Sequence, residues 1–495
     1  MATTQLSLTR TTGRALRWNY IGVFIRMLLG FGVNILLSRL LGPKPFGELA
    51  VAMMVFSFGN LLSNVGITSA LIQKKEIQDG DIRFCFTCQM AMGALMASLL
   101  IISAPLWAAF FHEPGVTRIQ RVVSLLFVFQ AFGTTAIALL NRRQDARTVQ
   151  GISIISYLVS YLGIGVPLAL FGAGIWSLVL AQLSQALFSS VLAYARVRHS
   201  VVPLLHPSYT NLLTFGFRIL GANICNWSIS NLDNAVVGRV VGPVSLGLYN
   251  RAFSLASIPA EGIISSLLQV LLPGLSRVQT DKAKLRQVYA STLGLVFMIL
   301  APMFAAMAAV PDVVILGLYG KKWEGAIGLF QPLALAIPIN AIMALSGPLL
   351  AARGKPEREF YMQLVTVAAA VVTYIVAVRW SVLALSWIVL AVYLLRFFLL
   401  TRAANREIDG RWSDLMVAAL PGLALAIAGA SVARLVTALL PPLHDGKKLV
   451  LVGVISAIFI LLCFATFYKV LLRPILTRSP QLATLLPVRM QRLVV

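Results

Sequence analysis

Apolar residues run along this chain in long uninterrupted stretches, broken by short clusters of Lys, Arg, Pro and Gly. The stretches fall at 18–41, 47–72, 84–111, 120–140, 150–171, 174–195, 211–238, 246–272, 288–318, 326–351, 360–378, 381–401, 414–440 and 449–472. Each is long enough for a helix to cross about 30 Å of hydrocarbon. The pattern predicts an all-α integral membrane protein of 14 transmembrane helices. An even number of crossings puts both termini on one side. The loops between spans leave no room for an aqueous domain. The tail at 473–495 is basic and apolar and is expected to lie along the membrane surface. Residues 1–17 are polar and basic, and the stretch 18–41 is too long for the core of a cleaved signal. It is therefore read as a span kept in the mature protein.

Composition sharpens this picture. Of 495 residues, 59% are hydrophobic and 12% charged, about half the charged fraction of a water-soluble chain. Mean hydropathy is +0.86. The formal net charge of +24 would suggest nucleic acid in a soluble protein, but no segment can fold into a basic aqueous face. The partner of this charge is the lipid bilayer. Lys and Arg concentrate on the terminus side, 25 against 9 across the membrane, which predicts cytoplasmic N- and C-termini and, for a bacterium, the inner membrane. Four cysteines cannot staple a chain this long, and the lone Cys85–Cys88 pair has no second pair to complete a metal site. The four histidines stand singly in or beside loops and are read as surface residues.

A repeat organises the spans. Arg39, Gly42, Pro43 and Gly47 recur as Arg239, Gly242, Pro243 and Gly247, an offset of 200, and Asn34 and Asn234 keep the same register. Leu139, Leu140 and Arg143 are echoed by Leu349, Leu350 and Arg353. Six spans separate the copies, so the halves share one orientation, as in parallel-repeat transporters. The expected lobes are 1–200 (spans 1–6) and 201–405 (spans 7–12). Residues 406–495 add two C-terminal helices and the basic tail.

Charged and amide side chains within the spans are the candidate chemistry, because a charge at membrane depth needs a partner or water. At 100° per residue, Gly22, Arg26 and Gly30 share one stripe of span 1, with Asn34 at its edge. Span 2 contributes Ser57, Asn60 and Asn64. Span 7 puts Asn226, Ser230 and Asp233 on one face, with Arg218 near its end. Span 8 groups Arg251, Ser254, Glu261, Ser265 and Gln269. One hydrated cavity walled by these four helices, the first two of each repeat, would satisfy all four stripes. The competing arrangement is interhelical glue, with Asp233 paired to Arg251 or Arg239. Arg396 and Arg434 are read as structural. Arg26 and Arg251 suit bidentate phosphate recognition.

No phosphate loop, H-E-x-x-H motif or acid-bearing external loop is present, so the expectation is a non-enzyme without cofactor or metal. Several motifs in order resemble those of Wzx-type polysaccharide flippases, the polysaccharide transport family of the MOP exporter superfamily. They are Leu36 to Pro43 with Phe46 and Gly47, and Gly66 followed by Ala70 to Lys74. Gly172, Gly174, Trp176 and Val179 come next, then Asn231, Asp233, Gly238 and Arg239. Gly247, Tyr249, Arg251 and Ala252, and finally Leu318 to Gly320 with Lys322 and Trp323, complete the series. The resemblance implies two six-helix lobes and a cargo of undecaprenyl-diphosphate-linked glycan, and the mechanism expected here is rocking of the lobes about the 42–43 and 242–243 turns. Arg26, which departs from the family pattern, and Arg251 are expected to hold the diphosphate while amides and serines meet the sugars. Polymerase and chain-length proteins of the same pathway are the expected protein partners. The alternatives are an ion-coupled drug exporter or lipid II flippase of the same superfamily, or a non-transporting scaffold of a polysaccharide assembly complex.

Overall fold

In the computed structural model the described residues are 2–63, 68, 71–72, 74, 76–204, 217–277, 281–441 and 443–467. They are helical with no strand among them. Two compact units are formed. The first contains 1–227 and 237–247, the second 228–236 and 248–495.

In the first unit, α1 (Ala2–Leu41) and α2 (Pro43–Ser63) are separated by Gly42 alone. Gly42 adopts φ 82° and its N–H bonds back to the Ser38 carbonyl at 3.2 Å. Pro43 opens the next helix, where its missing N–H costs nothing. α3 (Asp79–Phe111) starts at a capping box made by Gln78 and Asp81. The Asp81 carboxylate is fully buried and takes the Lys74 ammonium at 2.6 Å. α4 (Gly115–Val123) and α5 (Leu125–Arg142) follow, then α6 (Ala146–Tyr157), which passes through a π-helical stretch at Leu158–Gly165 into α7 (Val166–Leu170). α8 (Ile175–Val197) packs along α5, where Gly133 leaves room for Ser190. Cys85 lies in a core cluster with Leu71, Ala138 and Leu139, as helix packing requires.

The helix α9 (Phe217–Val240) contributes to both units, and α10 (Pro243–Arg277) begins after a second Gly turn with Gly242 at φ 97°. The 200-residue repeat read from the sequence is therefore a repeat of backbone geometry. The two copies also touch. A Cβ on Gly47 would lie 1.7 Å from the Pro243 carbonyl oxygen, and one on Gly247 would lie 2.0 Å from that of Pro43. Only glycine permits this reciprocal approach.

The second unit continues with α11 (Lys282–Ala309), α12 (Pro311–Tyr319), a 3₁₀ turn at Lys321–Ala326, α13 (Ile327–Met343) and α14 (Ser346–Ala352). Then come α15 (Pro356–Trp380), α16 (Val382–Glu407), α17 (Trp412–Leu439) and α18 (Asp445–Phe467). α11 packs extensively along α17, with Gly294 against Ala418 and Gly422 against Met298, so the helix expected as span 13 is part of this unit's core.

Among the described residues, 12 helical stretches are long and apolar enough to cross a membrane. The 14 expected from the sequence are thus not all found. The two missing, 211–238 and 246–272, coincide with α9 and α10, helices of 24 and 35 residues. They are long enough to span, but they carry Asp233, Arg239, Arg251 and Glu261, and only part of their side chains is described.

The glycine contact makes a direct prediction. Gly47→Ala or Gly247→Ala forces backbone to move and should cost about 1–3 kcal/mol. The melting temperature of the purified chain in detergent should fall in both. Gly32, with nothing within 4 Å of a built Cβ, should tolerate alanine. Equal melting of all three variants would contradict the contact.

Candidate functional site

On α1 the stripe of Gly22, Arg26 and Gly30 follows one neighbouring helix. Gly22 sits against Gln150, whose amide donates to Asn19 at 2.8 Å. The Arg26 guanidinium donates to Ser153 Oγ at 3.0 Å, and Gly30 faces the Tyr157 hydroxyl. The small residues let α6 approach, and Arg26 meets a hydroxyl there while remaining exposed. Asn34 is half-buried and accepts from Ser38 Oγ at 3.4 Å.

On α2, Asn60 is half-buried and accepts from Ser63 through its carbonyl at 3.0 Å. Ser57 accepts the Trp227 indole N–H at 2.9 Å, and Trp227 also lies against the Phe58 ring. Asn64 and the side chain of Arg218 lie outside the described residues.

α9 divides its polar residues between two environments. Asn226 and Ser230 are exposed, whereas Asp233 is 2% exposed. The Asp233 carboxylate is held by neutral donors. The Tyr249 hydroxyl donates to Oδ2 at 2.6 Å, and the Asn234 backbone N–H and side-chain amide donate to Oδ1 at 2.7 and 3.1 Å. Asn250 donates to Asn234 Oδ1 at 3.1 Å, extending the network along α10. The pairing of Asp233 with Arg239 considered from the sequence is not formed. Arg239 donates to the Ala109 and Phe110 carbonyls and contacts His112, and no ion pair among the described residues includes Asp233.

Arg251 is half-buried on the next turns of α10, within Coulombic range of Tyr319 at the end of α12. Glu261, further along α10, is exposed. The structure thus brings together Asp233, Asn234, Tyr249 and Asn250. Arg26 and Arg251 belong to different units.

Sequence reasoning missed the aromatic surround of Asp233. Tyr374 on α15 and Tyr393 on α16 are both buried and within Coulombic range of its carboxylate. Arg396, one turn beyond Tyr393, lies within Coulombic range of both tyrosines and of Glu359, which accepts from Gln363 at 2.9 Å. Polar aromatics in the middle of apolar helices were the available signal. His199 corrects another expectation. It is 7% exposed, its ring between those of Phe86 and Tyr194, because the chain after α8 folds back over α3.

A separate cavity of about 470 Å³ is lined by apolar residues of α11, α12, α17 and α18, among them Met303, Val314, Val452, Ile460 and Leu461. Its walls suit hydrocarbon. Removing one donor from the buried carboxylate should be costly. Tyr249→Phe should destabilise the chain by about 1–3 kcal/mol, read as a lower melting temperature, while an unchanged melt would show that Asp233 does not depend on it.

Comparison with known proteins places this architecture. Residues 36–328, more than half the chain, match a family described as polysaccharide biosynthesis protein. The succinoglycan biosynthesis transport protein ExoT of Rhizobium meliloti is 29% identical over 73% of this chain and 73% of its own length. The lipopolysaccharide biosynthesis protein WzxC of Escherichia coli is 24% identical over 72% of this chain and 73% of its own. Among solved structures, the lipid II flippase MurJ in an inward closed conformation superposes with a TM-score of 0.70 at 12% identity, covering 92% of this chain and 99% of that one. An inward-facing MATE family multidrug transporter of the MOP superfamily does so at 0.58 and 13%, covering 81% and 95%. The family match decides the assignment: the chain belongs to the family described as polysaccharide biosynthesis protein, and its all-helical fold is like that of the MurJ and MATE structures.

Proposed function

We propose that this chain is a flippase carrying undecaprenyl-diphosphate-linked oligosaccharide repeat units from the cytoplasmic to the periplasmic leaflet of a bacterial inner membrane, for exopolysaccharide or lipopolysaccharide biosynthesis. The observation that carries this reading is the set of exposed polar residues on apolar helices in a chain of this family: Arg26 on α1, Asn226 and Ser230 on α9 and Glu261 on α10. Exposed charge at membrane depth is costly unless it meets water or a polar cargo. Such a cargo has three parts, an anionic diphosphate, a hydroxyl-rich glycan and an isoprenoid chain.

Each part has a matching chemistry in the chain. Arg26 and Arg251 are the diphosphate cations, since a guanidinium offers paired donors to phosphate oxygens. Asn34, Asn60, Asn64 and Asn226 are the sugar-facing amides, and Arg218 and Glu261 line the same path. Asp233 serves by fixing α9 to α10 through Tyr249 and Asn234. The apolar cavity beside α17 and α18 has the walls an isoprenoid chain requires. In this reading 1–200 and 201–405 are the two moving lobes, 406–495 adds two helices outside the repeat and the basic tail, and the termini are cytoplasmic. Alternating exposure of the polar residues to the two sides, turning about Gly42–Pro43 and Gly242–Pro243, moves the headgroup without opening a pore. No covalent step is involved.

The experiment is complementation of a deletion strain at matched protein level. The deletion should accumulate lipid-linked repeat units on the inner leaflet. Arg26→Glu should lower polymer export by at least about tenfold, equivalent to ~1.4 kcal/mol of lost interaction, while Arg26→Lys retains most of it. Full export by Arg26→Glu would remove that residue from the cargo path. Repeat units reaching the outer leaflet normally in the deletion would overturn the flippase reading itself.

A further inference from the structure

The antiparallel pair α15 and α16 closes, at the end where α15 begins and α16 stops, around a cavity of about 560 Å³. Arg358, Arg402, Arg406 and Glu407 supply its polar side, Phe398 and Met362 its apolar side. Arg358 forms an ion pair with Glu407, so these two charges cancel. Arg402 and Arg406 do not cancel. They stand one helical turn apart, both exposed, and neither has an ion pair or hydrogen bond among the described residues. The cavity therefore carries a net charge of two cations on one wall.

The other wall places it in depth. The Phe398 ring stacks on Trp412 with centroids 5.3 Å apart and planes at 12°. Tryptophan marks the boundary between headgroups and hydrocarbon, and the apolar residues lie on the hydrocarbon side of the arginines along α16. A cavity cationic on one wall and apolar on the other matches an anionic phospholipid, whose phosphate and acyl chains are joined in that order. Free inorganic phosphate would use the arginines alone and leave the apolar wall unmatched.

We propose that this cavity is a binding site for an anionic glycerophospholipid, its phosphate bound by Arg402 and Arg406 and its acyl chains lying along Phe398 and Met362. The pair spacing of four residues on one helix face lets two guanidinium forks reach one phosphate group. The site uses none of the residues proposed for the cargo, and a bound lipid would fasten the α15–α16 hairpin to its leaflet. Anionic lipids commonly fill basic pockets of this kind between transmembrane helices.

The test is native mass spectrometry of the full purified chain titrated with phosphatidylglycerol or phosphatidylethanolamine of identical acyl chains. The wild type should bind phosphatidylglycerol more tightly. The double variant Arg402→Gln/Arg406→Gln should lose about thirtyfold in phosphatidylglycerol affinity and keep its phosphatidylethanolamine affinity. Lys447→Gln/Lys448→Gln, which removes the same charge elsewhere, should change neither. Equal binding of the two lipids by the wild type overturns the proposal, and so does a loss shared by both double variants. A further arm on the wild type alone adds inorganic phosphate, so the result does not depend on any variant folding. Retained phosphatidylglycerol binding supports a lipid site, and displacement by phosphate at lipid-equivalent concentration refutes it. The readout is lipid occupancy, so it stands or falls independently of polymer export.

Discussion

Hydrocarbon contains no water, so every backbone or side-chain polar group placed there needs a partner supplied by the protein or its cargo. Much of the present structure follows from that constraint. The backbone meets it by remaining helical across the described residues, with interruptions confined to Gly-Pro turns, a π-helical stretch and short loops. Side chains meet it in two ways. Asp233 is enclosed and given a hydroxyl, a backbone N–H and an amide, so the carboxylate is solvated by protein. Arg26 and Glu261 are instead left exposed on helices whose other exposed residues are apolar, such as Phe24 and Leu28. Enclosed polar groups hold helices together, while exposed ones, even where they have a partner in the chain as Arg26 has in Ser153, also face whatever lies outside it. That distinction is what connects the fold to transport.

The repeat gives the fold its second regularity. Gly42 and Gly242 take the same left-handed conformation, and Pro43 and Pro243 start the helices that follow. Four residues later Gly47 and Gly247 each pack on the other copy's proline carbonyl. One short motif therefore does two jobs, turning the chain between two helices and making a backbone-to-backbone contact with its own duplicate. A side chain of any size at position 47 or 247 would separate the two turns, which is why the motif specifies glycine there.

How far the sequence could be read depended on the kind of interaction involved. Hydropathy located the helices, and left-handed glycine with proline located the turns, because both are local properties of the chain. The motif series from Leu36 to Trp323 identified the family. What hydropathy could not convey was the identity of neighbours. The stripe of Gly22, Arg26 and Gly30 was visible by periodicity, but its match to Gln150, Ser153 and Tyr157 depends on how α1 and α6 pack. Asp233 was visible as a buried acid, yet Tyr374 and Tyr393 come from helices more than a hundred residues away. His199 resembled a loop residue because its ring stacking is made by Phe86 and Tyr194 across space. Of the 14 expected spans, 12 are found among the described residues, and the other two coincide with α9 and α10, whose side chains are described only in part.

The central claim is that a polar, phosphorylated lipid headgroup crosses the membrane on this protein. It is tested most directly by reconstituting the purified chain into vesicles holding an undecaprenyl-diphosphate-linked oligosaccharide, with a glycosidase added outside. Transport predicts that the inner pool becomes accessible to the enzyme at a rate proportional to the amount of protein, while a polyprenyl carrier lacking diphosphate and glycan does not compete. If the inner pool stays protected, as in vesicles without protein, in a preparation whose fold and orientation have been verified, the account is contradicted.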